Sequence, residues 1–144
     1  MPDPTPLTMG LLGTSLKADE QRAPLDPCQI PQIDAALRAR LVVEAGYGER
    51  FGVPDSQLRD LVGEVVQRRD VFQRADVVVL PQVTAGEREF LREGQTVWGW
   101  PHLVQSQDIT QIAVDKKLTM IAWESMNLTA PGGGRGLHVF HRNN

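Results

Sequence analysis

Val77-Val78-Val79-Leu80 is the stretch that decides the fold. Four apolar residues follow one another with no polar residue between them, and three are β-branched. Such a run suits a strand covered on both faces, the usual state of a parallel sheet packed between helices. Pro81 is expected to end it, because proline has no N–H to give to a ladder. Working outward, Arg68 to Arg74 reads as a short helix and Val65-Val66 as a short strand. Leu58, Leu61 and Val62 suggest a helix that starts after Asp55 or Ser56 and stops at Gly63. Leu41-Val42-Val43 is a β-type run closed by Gly46 and Gly48, and Leu7 to Ser15 reads as the first strand. Between these two, Lys17 to Pro27 is a polar, proline-broken loop. Ile30, Ile33 and Leu37 then recur at helical spacing, with Pro31 tolerable in the first turn.

On the other side, Thr84-Ala85-Gly86-Glu87 has the form of a capping box, so a helix carrying Phe90 and Leu91 is expected, stopped by Gly94. Thr96 to Trp100 reads as a strand. Ile109, Ile112 and Ala113 form a helix face with Lys116 and Lys117 at its end. Leu118 to Trp123 is a further strand, residues 127–136 a glycine-rich loop, and Leu137 to His141 extended or a last strand. Strands alternating with helices predict an α/β fold: a Rossmann-like (flavodoxin-like), mainly parallel sheet with helices on both faces. Residues 1–8 are expected to be a proline-rich leader and residues 9–144 one domain.

Composition narrows the function classes. The chain of 144 residues is 41% hydrophobic and 23% charged, with a net charge of -3, values of an ordinary globular protein with no basic face for nucleic acid. No run of about 18 apolar residues predicts a membrane span, and no export signal opens the chain, so a cytoplasmic location is expected. A lone Cys28 excludes an internal disulfide and reads as a passive thiol. No P-loop, G-x-S-x-G or metal-ligand spacing occurs. Gly132-Gly133-Gly134-Arg135-Gly136 has glycines in the wrong spacing for a dinucleotide fingerprint and reads as a hairpin or loop. His138 and His141 would point to opposite faces of a strand, a poor metal geometry.

Three polar residues do fall at strand C-terminal ends, where parallel sheets form their ligand crevice. Arg22 lies in the loop after the first strand and could hold a carboxylate by two parallel hydrogen bonds; a solvated surface arginine is the competing reading. His102 follows Thr96 to Trp100 and could exchange a proton near neutral pH, or be a structural histidine beside Pro101. Gln82 follows Val77 to Leu80 and could bond a ligand, but it is neither an acid nor a base.

These residues sit within stretches that resemble a known family. Glu20-Gln21-Arg22-Ala23-Pro24-Leu25, Glu44-Ala45-Gly46-Tyr47-Gly48, Phe51-Gly52-Val53, Ala75-Asp76-Val77-Val78 and Gly99-Trp100-Pro101-His102 carry the likeness, as do Val104-Gln105, Asp108-Ile109-Thr110, Lys117-Leu118-Thr119, Ala122-Trp123-Glu124, His138-Val139-Phe140 and Arg142-Asn143-Asn144. They look like the N-terminal domain shared by alanine dehydrogenase, the alpha subunit of nicotinamide nucleotide transhydrogenase and lysine-forming saccharopine dehydrogenase. The G-W-x-H-x-V-Q and H-V-F-x-R-N-N stretches favour the carboxyethyl-ornithine synthase branch. The resemblance implies reduction, by NADH or NADPH, of an imine formed from a 2-oxo acid and an amine, pyruvate and ornithine in that branch. It places the family's carboxylate-gripping arginine on Arg22 and its proton-handling histidine on His102.

The sequence departs from the pattern in two places. Gln82 stands where the family usually has a lysine. The dinucleotide-binding domain and the C-terminal helices that return to this one are not among the 144 residues, so apolar surface is expected to lie exposed. The resemblance therefore implies a substrate-binding half that holds no cofactor by itself. It would work with a separate dinucleotide-binding subunit, or within a longer or homo-oligomeric assembly. The other reading is a non-catalytic module for an oxo acid, an amino acid or a protein partner.

Overall fold

The computed structural model describes residues 5–139. Six parallel strands form the main sheet: β1 (Met9–Leu11), β2 (Leu41–Glu44), β3 (Glu64–Val66), β4 (Val77–Gln82), β5 (Thr96–Trp100) and β6 (Thr119–Ala122). Their order is β3-β2-β1-β4-β5-β6. The chain thus winds outward from β1 to one edge, returns to the centre at β4, and winds to the other edge. This is the doubly wound order, and its switch point lies between β1 and β4. The fold is the α/β, Rossmann-like sheet that the strand–helix alternation predicts.

Side-chain alternation explains the two layers. Leu11, Leu41, Val43, Val77 and Val79 face one way and pack with Ile30, Leu58 and Val62. Leu12, Val42, Val78, Leu80 and Val97 face the other and pack with Val71, Phe72, Ile109 and Ile112. The first face is covered by a 3-10 turn at Pro27–Gln32 and by α2 (Asp55–Arg59), while the short α1 (Ala35–Arg38) buries no residue. The second is covered by α3 (Arg68–Arg74), a 3-10 turn at Ala85–Glu89 and α4 (Gln107–Asp115). Gly10 lets α3 lie close on β1, since a Cβ there would sit 2.6 Å from Val71 Cγ1.

Several sequence expectations need correction. Pro81 does not end its strand: β4 runs on to Gln82, with the register slipping between Leu80 and Gln82 so that proline falls at an irregularity. The first strand is only Met9–Leu11. The helix expected through Ile30, Ile33 and Leu37 is broken, because Pro31 sits in a 3-10 turn and Asp34 caps a new helix by accepting from the Ala36 N–H. Leu37 is consequently exposed. The capping box at Thr84 is present, but it opens a 3-10 turn rather than an α-helix. The glycine-rich loop is part of an antiparallel hairpin, β7 (Asn127–Thr129) with β8 (Arg135–His138). Residues 1–4 of the leader and residues 140–144, which include His141 and the R-N-N stretch, lie outside the described residues.

One consequence of the winding bears on the site. The connections from β3 onward carry Phe72, Leu91 and Ile109 to the same face. The opposite face of β4 and β5 therefore lacks a covering helix among the described residues. An apolar groove of about 410 Å³ opens there, lined by Leu7, Met9, Leu25, Ile33, Val79 and Trp98 among others. No helix of the described residues is long and apolar enough to cross a membrane. Phe72 is fully buried at the centre of the opposite layer, where truncation leaves a cavity. Phe72→Ala should cost roughly 3–5 kcal/mol in urea unfolding. At the exposed Arg59, a change to alanine should stay within about 0.5 kcal/mol.

Candidate functional site

The carboxyl ends of β1, β4, β5 and β6 form one edge, and the switch point opens it. The loop after β1 must cross this edge before returning as α1, and its course is fixed from two sides. Arg68, at the start of α3, donates through Nη1 to Glu44 Oε1 (3.2 Å) and through Nη2 to Glu87 Oε1 (2.9 Å). Glu44, at the end of β2, also accepts from the Gly13 N–H at 2.8 Å. Glu87 is fully buried and accepts from the Thr84 N–H (2.7 Å), the Thr84 hydroxyl (2.6 Å) and the Leu16 N–H (3.4 Å). Farther along, the buried Tyr47 hydroxyl donates to the Leu25 carbonyl at 2.6 Å and accepts from the Leu25 N–H at 2.9 Å. Burial pushes the Tyr47 phenol well above its usual range.

Arg22 lies between these two anchors. Its Nε donates to Glu20 Oε1 at 2.8 Å and its Nη2 to Glu20 Oε2 at 2.6 Å. The hydrogen bond to Arg22 holds the Glu20 carboxyl below the usual carboxylate range, and the same bond raises Arg22. The guanidinium stacks on the Trp100 ring, 4.1 Å from its centroid, and Trp123 meets Trp100 edge-on at 4.5 Å. Arg22, Trp100 and Trp123 line a cleft of about 530 Å³ together with Ala23, Pro24, Asp26 and Phe51. Arg22 is thus a fixed cation on an aromatic platform and not a loose surface arginine. One side of its fork is already filled by Glu20, which leaves the outer Nη1 edge for a ligand.

His102 adopts φ 48°, a left-handed turn just past Pro101. Its N–H donates to Glu124 Oε1 at 2.8 Å, and its Nδ1 lies 4.0 Å from the same oxygen. The imidazole is about one third exposed, at 35%. Gln82 is in register with Trp100, and its carbonyl accepts from the Ser15 hydroxyl at 2.7 Å. The side chain is buried, yet its Oε1 has no partner among the described residues. An orphaned acceptor of this kind costs about 1–3 kcal/mol. Glu124 Oε2 is likewise buried without a partner among the described residues. Arg22 and Trp100 touch, Gln82 lies beside Trp100, and His102 follows two residues later. Neither Gln82 nor His102 lines the Arg22 cleft itself.

Sequence reasoning alone assigns no role to Glu20, Trp100, Glu124, Tyr47 or Arg68. Glu44 carried a signal, since a carboxylate closing the apolar run Leu41–Val43 needs a partner. The others depend on contacts between distant loops. Cys28 is exposed, and its thiol is held above its usual range by desolvation and by Asp26, which suits a passive role.

Two predictions concern the anchors. Arg68→Ala leaves Glu87 buried and uncompensated and should destabilise by about 3–5 kcal/mol in denaturant unfolding, while Arg68→Met with Glu87→Gln should recover much of the loss. Tyr47 stays protonated in the folded state to higher pH than in the unfolded chain. Its contribution is therefore complete below about pH 10 and declines as pH rises beyond that value. Thermal melts should fall less steeply above about pH 10 in Tyr47→Phe than in the parent chain.

Comparison with known proteins agrees with this architecture. Residues 15–140 match the family described as alanine dehydrogenase/PNT, N-terminal domain. N(5)-(carboxyethyl)ornithine synthase of Lactococcus lactis subsp. lactis (strain IL1403) is 27% identical over 122 residues, 83% of this chain and 38% of that protein. Alanine dehydrogenase of Lysinibacillus sphaericus is 24% identical over 116 residues, 78% of this chain and 31% of that protein. Among solved structures, an L-alanine dehydrogenase superposes with a TM-score of 0.71 at 21% identity, over 89% of this chain and 35% of its own. The transhydrogenase from Sinorhizobium meliloti gives 0.67 at 20% identity, over 83% of this chain and 35% of its own. The chain spans only about a third of the length of these relatives. A family match over residues 15–140, together with the same fold, establishes that this chain belongs to the alanine dehydrogenase/PNT N-terminal domain family.

Proposed function

We propose that this chain is the substrate-binding half of an NAD(P)-dependent amino-acid or opine dehydrogenase that condenses a 2-oxo acid such as pyruvate with an amino acid such as ornithine. The observation that carries this reading is Arg22, braced by Glu20 and stacked on Trp100 at the switch point of the sheet. Its outer edge is a donor surface for a carboxylate, and the aromatic wall covers one face of the guanidinium. His102, held on its turn by Glu124, is the proton-transfer group, and Gln82 supplies a neutral contact. The names of the relatives support a small-molecule substrate.

The residues present do not fit a nicotinamide dinucleotide. Its pyrophosphate needs a glycine-rich turn that opens a helix. Gly132 and Gly133 instead join the two strands of a hairpin. On this reading NADH or NADPH is held by a dinucleotide-binding domain outside these residues or by a separate subunit. The competing reading is a non-catalytic binding module, favoured by Gln82 in place of a lysine.

Calorimetric titration tests the anchor. Arg22→Ala should weaken pyruvate binding by at least about tenfold, while Arg88→Ala, on the exposed Arg88–Asp115 pair, should leave it unchanged. Equal effects from both would remove Arg22 from the site. The purified chain mixed with pyruvate, ornithine and NADPH should show no loss of nicotinamide absorbance. Turnover by the chain alone would overturn the division of labour.

A further inference from the structure

Among the residues that line the Arg22 cleft, only Arg22 and Asp26 are charged. The two are in different states. Arg22 is already paired through two hydrogen bonds with Glu20, whose side chain is 4% exposed. Asp26 forms no ion pair among the described residues. Counting Glu20 with the lining sets two carboxylates against one guanidinium, so the cleft carries an excess of negative charge. A small anion on Arg22 adds to that excess, whereas a cation offsets it. The aromatic lining of Phe51, Trp100 and Trp123 works in the same direction, because the π-faces of such rings attract cations.

Asp26 is held in place on both sides. Leu25, before it, is clamped through its N–H and its carbonyl by the Tyr47 hydroxyl. Pro27, after it, is buried at the start of the 3-10 turn. Asp26 itself caps that turn, with Oδ1 accepting from the Cys28 N–H at 2.9 Å. The cap uses only part of the carboxylate, which when ionised accepts at about four sites and donates at none. What remains on this exposed side chain suits an ammonium group and offers nothing to a keto oxygen or to another carboxylate.

We propose that Asp26 is the specificity-determining residue for the amine partner: its carboxylate receives the side-chain ammonium of a diamino acid, and amino acids with neutral side chains are disfavoured. This rests on the reading of Arg22 as the anchor of the oxo-acid carboxylate. The two charges then divide the cleft, Arg22 taking the anionic partner and Asp26 the cationic end of the other.

Dissociation constants of the full chain for L-ornithine, L-norvaline and pyruvate, measured by NMR titration, test the proposal. Ornithine and norvaline share a carbon skeleton and α-groups, so the ratio of their affinities isolates the side-chain ammonium. The parent chain should prefer ornithine by about fivefold. Asp26→Asn keeps a side-chain oxygen for the cap. It should bring the ratio below about twofold, while pyruvate binds as well as before or more tightly. Asp34→Asn removes the same charge from another N-cap, one outside the cleft, and should leave the ratio unchanged. An unchanged ratio in Asp26→Asn overturns the proposal while Arg22-dependent pyruvate binding still stands. An equal fall in both variants assigns the preference to net charge and overturns it as well. So does a parent chain that binds the two amino acids equally, or neither of them. Pyruvate affinity that does not respond to Arg22→Ala overturns the Arg22 reading and the proposal with it.

Discussion

Every part of this molecule depends on β4 being buried on both faces while paired on both edges. Val77 to Leu80 can satisfy their backbone only through β1 and β5, and their side chains only through two separate layers. That requirement brings the chain back to the centre of the sheet after β3 and so creates the switch point. The crevice at the carboxyl edge is a by-product of the same winding, because the loops after β1 and β4 must leave in different directions.

The crevice is then given shape by electrostatics of two kinds. Arg68 ties the buried Glu44 and Glu87 together, and those carboxylates take the N–H groups of Gly13 and Leu16. Such an arrangement contributes little net stability compared with an apolar core, but it leaves few alternative paths for the loop. Nearer the surface, Glu20 and Trp100 fix Arg22, so that the guanidinium is ordered before a ligand arrives. Preorganisation of this sort lowers the entropy cost of binding.

Much of the scaffold was legible in the sequence, since burial on two faces leaves continuous apolar runs. Thr96–Trp100 and Arg68–Arg74 have the bounds that the periodicity suggests. The failures have two causes: strand pairing overruled one local signal, and elsewhere one local signal outweighed another. Pro81 reads as a strand stop, yet the bulge absorbs its missing N–H. Ile30, Ile33 and Leu37 read as one helix face, yet Pro31 and Asp34 divide them. In the site, Arg22, Gln82 and His102 could be placed on the sheet's edge from sequence, because position after a strand suffices for that. The contacts of Arg22 with Glu20 and Trp100, and of His102 with Glu124, could not, since loop geometry has no period to read. The slip in register at Pro81 was also hidden, as it appears only once Leu80 and Val83 are seen in one layer.

The central claim is that the Arg22–Trp100 cleft receives the ligand carboxylate. The most direct test is an NMR titration of the labelled chain with pyruvate that follows the Arg22 Nε–H and tryptophan indole signals together. The account predicts saturable shifts of Arg22 Nε–H and the Trp100 indole with one common dissociation constant, and little change at Trp98. Shifts confined to Trp98, in the apolar groove, or saturation at Trp100 with an unmoved Arg22, would contradict it.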